Sequence, residues 1–389
     1  MKKFILFQLK KMALLMLFAF MVPPMPGCSK NEAGEPVNQP GEAALPLTEH
    51  AVVPDETAPG INTRSGSHIA VLPEQSKDRT GKLLVFFPGT GAHPGWYTSF
   101  VKQAAQNGFH TVSLDYENSQ SINFDVCPDQ PQDCHEASRL EILTGEDSPY
   151  IEPDVDKANS AYNRLLQLLR YLAEHYPDEG WDAYFITNDD DPGSALAWKN
   201  MVVSGHSQGG GHAAMTAKLH EVQRVVLFGA TEPSGWTLEP FATPANRFWG
   251  LAHKKEPIFD GIFNSWNNIG IPGELVEVGT GQPEVQTQRL ATVAEGGTGD
   301  PQSNGYYHNL YIVDGWMPAP SENGIPAFVP VWDYLLTASA ITQMVQKVQK
   351  ISPAGISWID PEILNHENKI AFQVGGSGVI WLSNLVVFH

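Results

Sequence analysis

Basic side chains are scarce in this chain: 24 Lys and Arg stand against 43 Asp and Glu, for a formal net charge of -19. A phosphate backbone needs a basic face, so nucleic acid is excluded as a partner. Docking on anionic lipid through charge is disfavoured for the same reason. Charged residues of both signs reach only 17%, too few for a disordered chain or a coiled coil, while 42% hydrophobic residues suffice for a sizeable core. Long apolar runs are missing as well. The stretch 12–22 is roughly eleven residues, short of the ~20 that cross a bilayer. Cysteine is limited to Cys28, Cys127 and Cys134. What is plentiful is Gly, at 35, and Pro, at 30, which together imply many turns. At ~150 residues per domain the length fits two to three domains, although α/β chains of this size often fold as one.

Lys2, Lys3, Lys10 and Lys11 precede the 12–22 run, the pattern of an export signal that takes no part in the fold. The run leads to Met25-Pro26-Gly27-Cys28, which resembles the lipobox of bacterial lipoproteins. Gly27-Cys28 fits that pattern, Met25 stands where Leu is usual, and Pro26 is atypical. The resemblance implies cleavage after residue 27, a lipid on Cys28 and, with Ser29 rather than Asp next, an outer-membrane lipoprotein. Ordinary secretion, to the periplasm or beyond, is the alternative. Residues 28–60, rich in Pro, Glu, Ala and Gly, are expected to be a flexible tether. The acidic chain would then meet a membrane only through the lipid.

With Cys28 lipidated, Cys127 and Cys134 remain as an even pair in an oxidising compartment, so a disulfide is expected. The seven-residue spacing would close a tight, turn-rich loop. A metal held by the two thiolates and His135 is the rival reading, without further ligands at metal spacing nearby.

The run Leu83-Leu84-Val85-Phe86-Phe87 reads as a strand buried on both faces, broken by Pro88-Gly89-Thr90-Gly91 and followed by a helix to about residue 107. Further strands are expected over 110–115, 201–203, 224–228 and 247–252. Helical spacing of Ala161, Leu165, Leu168, Leu169 and Leu172 ends at Pro177, and a last helix is expected over 329–350. Alternating strands and helices predict an α/β class with a mostly parallel central sheet and helices on both faces. Two stretches, 118–153 and 177–198, lack that rhythm and are expected to be cap segments. Within the second, 188–193 lacks the ligand alternation of a calcium loop and reads as a solvated turn. The domain is expected over 61–350, with a β-rich tail over 351–389 containing a hairpin across 370–387.

The chemistry is carried by Gly205-His206-Ser207-Gln208-Gly209, placed directly after a buried strand and before a helical stretch. Glycines on either side of a serine permit a crowded turn that lifts its hydroxyl above a sheet. At this motif, and over roughly 70–350, the chain resembles the α/β-hydrolase superfamily. The resemblance implies Ser207 as nucleophile and an oxyanion hole from the backbone amides of Thr90 and Gln208. Pro88-Gly89 stands where many relatives have His-Gly. The superfamily order of Ser, acid, His leaves His308, His366 and His389, of which His308 lies before the last expected helix, where the family carries its base. The acid should follow the strand 247–252. Glu256, in Glu256-Pro257, matches the family's acid-Pro pattern, and Asp260 is the runner-up. The implied activity is a serine hydrolase acting on a small or polymeric carboxylic ester, with no cofactor and no metal. Lipase, peptidase and polyester hydrolase stay open, as does a surface binding protein that keeps the fold without turnover.

Overall fold

The computed structural model describes residues 44–341, except 153 and 234, together with the backbone of four further strands between 349 and 383. The expected signal, Cys28 and the first part of the tether lie outside the described residues. Nine strands build one sheet: β1 (Leu47–Val52), β2 (His68–Pro73), β3 (Leu83–Phe87), β4 (His110–Ser113), β5 (Met201–His206), β6 (Arg224–Phe228), β7 (Phe248–His253), β8 (Leu275–Val278) and β9 (Arg289–Thr292). Their spatial order is β1-β2-β4-β3-β5-β6-β7-β9-β8. β2 runs antiparallel to both of its neighbours, and from β4 to β8 every pairing is parallel. The helices are α1 (Thr98–Gln106), α2 (Cys134–Thr144), α3 (Ala161–His175), the single turn α4 (Pro192–Ala195), α5 (Gln208–Leu219), α6 (Phe259–Ile269), the single turn α7 (Tyr306–Asn309) and α8 (Val329–Thr337). This is an α/β architecture with a mixed, mostly parallel sheet.

The period-two geometry of a strand divides the core into two layers. On β3, Leu83, Val85 and Phe87 face the layer that holds Leu165, Leu169, Ala213 and Trp266, from α3, α5 and α6. Leu84 and Phe86 face the opposite layer, with Phe100, Ala104, Trp332 and Leu335 from α1 and α8. Both faces of β3 are therefore covered, which is why its sequence is apolar without alternation. Each such side chain, fully buried, contributes about 1.5–3 kcal/mol.

Several expectations need correction. The tether does not extend to residue 60: Thr48, His50 and Val52 belong to β1, an edge strand registered against β2 over all six of its residues. Its residues alternate in burial, Thr48, His50 and Val52 being more covered than Glu49 and Ala51, but Thr48-Glu49-His50 breaks any polar–apolar alternation and so concealed the strand. The last helix stops at Thr337 rather than 350, and residues 349–350 already belong to β10 (Gln349–Ser352). That strand pairs antiparallel with β11 (Gly355–Trp358), and the expected tail hairpin is formed by β12 (Lys369–Val374) and β13 (Gly378–Ser383). The segment 118–153 contains a real helix, α2. Its inward face carries Ser138, Arg139 and Glu141 beside Ile142 and Leu143, so the apolar period is broken by buried polar groups.

The two interruptions also part company. Segment 118–153 leaves the C-terminal end of β4. Segment 177–198 leads into the start of β5, and the Glu179 carbonyl accepts a hydrogen bond from His110 Nε2 at the first residue of β4 (2.9 Å). It therefore covers the N-terminal ends of the strands, away from Ser207, and does not cap that site.

Candidate active site

Parallel sheets bind ligands where strand order reverses, at the carboxyl ends of the strands. Here the chain passes from β3 outward to β4, then returns to place β5 on the other side of β3. The loop after β3 and the turn after β5 thus meet at that point.

Ser207 closes β5 with φ 55° and ψ −121°, a positive φ that a non-glycine residue holds only under strain. The neighbouring glycines explain how it is held. A Cβ on Gly205 would run into the Gly209 carbonyl, and one on Gly209 would run into the Phe87 carbonyl of β3. The Ser207 amide donates to the Phe228 carbonyl (2.8 Å), which fixes the turn to the end of β6.

The two expected oxyanion residues face one another. Thr90 Oγ1 donates to Gln208 Oε1 (3.3 Å), which also accepts the Ile122 amide (2.8 Å). Neither the Thr90 nor the Gln208 amide donates a hydrogen bond within the described residues. The Gln208 amide is also the first of α5, at the positive end of the helix dipole.

Glu256 sits in the turn after β7 with its side chain fully buried. Its Oε2 accepts from His308 Nδ1 at 2.5 Å. Its Oε1 accepts from the Tyr311 hydroxyl (2.9 Å) and the His253 amide (2.5 Å). A carboxylate oxygen accepts this bond, so Nδ1 of His308 is the donor, and in the neutral ring the lone pair is then on Nε2. The His308 side chain retains 17% exposure, so that nitrogen is reachable. Gly229 matters here, because a Cβ on it would meet the His308 ring at 2.9 Å and the Tyr311 hydroxyl. Gly229 follows the Phe228 carbonyl that anchors Ser207, so His308 and Ser207 lie against adjacent residues of one strand end. Asp260 stands exposed in the first turn of α6 and makes no bond to His308. His308 lies in the single turn α7, before α8 as expected.

Segment 118–153 is fastened to this site. Cys127 and Cys134 form a disulfide, Cα atoms 5.7 Å apart, which removes the metal reading with His135. From α2, Arg139 forms a two-pronged ion pair with Glu232, Nε to Oε2 at 2.9 Å and Nη2 to Oε1, with both side chains essentially buried. Its remaining nitrogen, Nη1, donates to the Gln208 carbonyl (3.1 Å). Burial raises the Glu232 carboxyl and the Arg139 guanidinium opposes that shift. An open cleft of about 660 Å3 is lined by Asn123, Phe124, Thr231, Ile258 and Asn264. Ser207 and His308 do not line it. It opens between residues 122–126, the loop after β6, and α6.

Sequence reasoning missed Tyr311, His253, Arg139 and Glu232. None belongs to a motif, and the two charged residues meet 93 positions apart. The chain matches no protein-family model, and a search of curated proteins finds no match either.

Proposed function

We propose that the chain is a serine hydrolase of the α/β-hydrolase fold that cleaves a carboxylic ester through an acyl-enzyme. The observation that carries the proposal is the buried Glu256 carboxylate holding His308 with Nδ1 protonated, next to a strained serine at the carboxyl end of a parallel strand. In this reading Nε2 of His308 takes the Ser207 hydroxyl proton as Oγ bonds to the acyl carbon. The developing oxyanion is met by the Thr90 and Gln208 amides, donors that nothing else in the described fold engages. Collapse breaks the bond to the leaving oxygen, which receives the proton from His308. Water, deprotonated by the same nitrogen, then releases the acid and restores Ser207.

In this reading the substrate's bulk lies in the cleft lined by Phe124 and Ile258. The substrate is then a small or a polymeric ester whose acyl group reaches Ser207. A lipid on Cys28 would hold the domain at a membrane, outer-membrane placement following from Ser29. Turnover of p-nitrophenyl esters of graded chain length by the full chain, and its loss in Ser207→Ala, tests the proposal. Wild-type protein without activity on any ester, or Ser207→Ala with undiminished activity, overturns it.

A further inference from the structure

The residue before the serine is a histidine that the mechanism above does not use. His206 is buried, 3% exposed, and makes a hydrogen bond through each ring nitrogen. Nε2 lies 3.0 Å from the backbone carbonyl of His308, and Nδ1 lies 3.1 Å from the Tyr97 hydroxyl. That hydroxyl accepts from the Gly89 amide at 3.1 Å. Gly89 precedes Thr90, and a Cβ on it would come within 3.2 Å of His206 Nδ1 and 3.4 Å of Ser207 Cβ.

Proton counting leaves one arrangement. A carbonyl oxygen only accepts, so Nε2 of His206 carries a proton and donates to His308. If Nδ1 were protonated too, it would donate to Tyr97, whose oxygen already accepts from Gly89. The hydroxyl proton of Tyr97, itself 1% exposed, would then point into the core without a partner. A cation would also sit 4.5 Å, centroid to centroid, from the ring that must become imidazolium. The only fully satisfied chain runs from Gly89 N–H to Tyr97 O, from Tyr97 O–H to His206 Nδ1, and from His206 Nε2–H to His308 O. Burial, and then the neighbouring His308, hold His206 well below the ordinary imidazole range, in keeping with a neutral ring.

We propose that His206 is a positioning residue that ties the oxyanion loop at Gly89 to the backbone of the base, His308, so that donor, nucleophile and base move as one body. The proposal rests on the serine-hydrolase reading. Its geometry is specific to the second position of the motif: the His206 side chain reaches Tyr97 and the His308 backbone, while the Gln208 side chain reaches Thr90 and the Ile122 amide.

Two experiments on the full chain test it. The first is nitrogen-15 NMR of histidine-labelled wild type, with the His206 signals assigned by their loss in His206→Gln. The expected result is a neutral ring with the proton on Nε2 at every pH from about 5.5 to 8. A proton on Nδ1, or an imidazolium in that range, overturns the relay. The second is ester kinetics. His206→Phe is expected to lower kcat about 100-fold with KM within about threefold, and His206→Gln, which keeps an N–H donor at the far position, to recover about tenfold of that loss. Tyr97→Phe is expected to cost about tenfold, and to add nothing when combined with His206→Phe, because the links are in series. Unchanged kcat in His206→Phe, or losses that simply multiply in the double variant, contradict the relay. Wild-type protein whose Ser207 takes no fluorophosphonate fails the hydrolase reading instead, while the NMR result still decides the hydrogen bonds.

Discussion

Segments 118–153 and 177–198 are both rich in Asp and Pro and both lack an apolar period, yet the fold uses them differently. The first follows β4 and so emerges at the carboxyl ends of the parallel strands. It is tied down there by the buried Arg139–Glu232 pair and by the Ile122 amide on Gln208, and a disulfide braces it internally. The second follows α3 and leads into β5, so it emerges at the opposite end. There Glu179 holds His50 Nε2 through both oxygens at 2.9 Å and accepts from Trp181 Nε1 at 2.6 Å. One segment packs against the turn that carries Ser207, and the other closes the amino ends of the strands. In a parallel sheet, a long connection that leaves a strand and one that enters a strand are not interchangeable.

The largest effect that sharpens this contrast belongs to the site end itself. Glu256→Gln is expected to lower kcat about 10⁴-fold, because an amide no longer fixes the His308 tautomer, whereas Asp260→Asn stays within about twofold. Parallel kinetics of the two variants check it, and the reverse pattern would move the acid to α6. Next comes Arg139→Met. Removing one partner of a buried ion pair leaves Glu232 uncompensated and should destabilise the protein by about 3–5 kcal/mol in urea unfolding. It should also lower kcat, since Arg139 Nη1 holds the Gln208 carbonyl. Full activity in a folded Arg139→Met protein would separate segment 118–153 from the chemistry.

How much of this was legible beforehand varied by region. Strands β3, β5, β6 and β7 are buried on both faces and announce themselves as apolar runs. β8 and β9 are four residues each and carry Glu277 and Arg289, so no run exists to detect. Ser207 is readable because two crowded glycines leave a trace in the chain, and Glu256 because a proline follows it. Tyr311 and His253, which complete the carboxylate's partners, are joined to it only by folding. The true position of 177–198 was legible in principle. A helix-to-strand connection must lie at the amino ends of a parallel sheet, and connection order carries that information where composition does not.

Smaller effects separate the segments further. Opening the Cys127–Cys134 bridge in Cys127→Ser/Cys134→Ser should cost about 2.5 kcal/mol by loop-closure entropy. It should shift KM across an ester series while Ser207 still reacts, because the bridge joins residues 122–126, which border the cleft, to α2. Glu179→Gln at the far end should cost about 1–2 kcal/mol of stability. Its kcat/KM should stay at the wild-type value, and a changed kcat/KM would mean that 177–198 reaches the site after all.

The most direct measurement of the central claim is mass spectrometry of peptides from the full chain after treatment with a fluorophosphonate. The account predicts one modified residue, Ser207, with labelling abolished in Ser207→Ala and strongly slowed in Glu256→Gln. Labelling elsewhere, or labelling of Ser207 that proceeds equally fast without the Glu256 carboxylate, would contradict it.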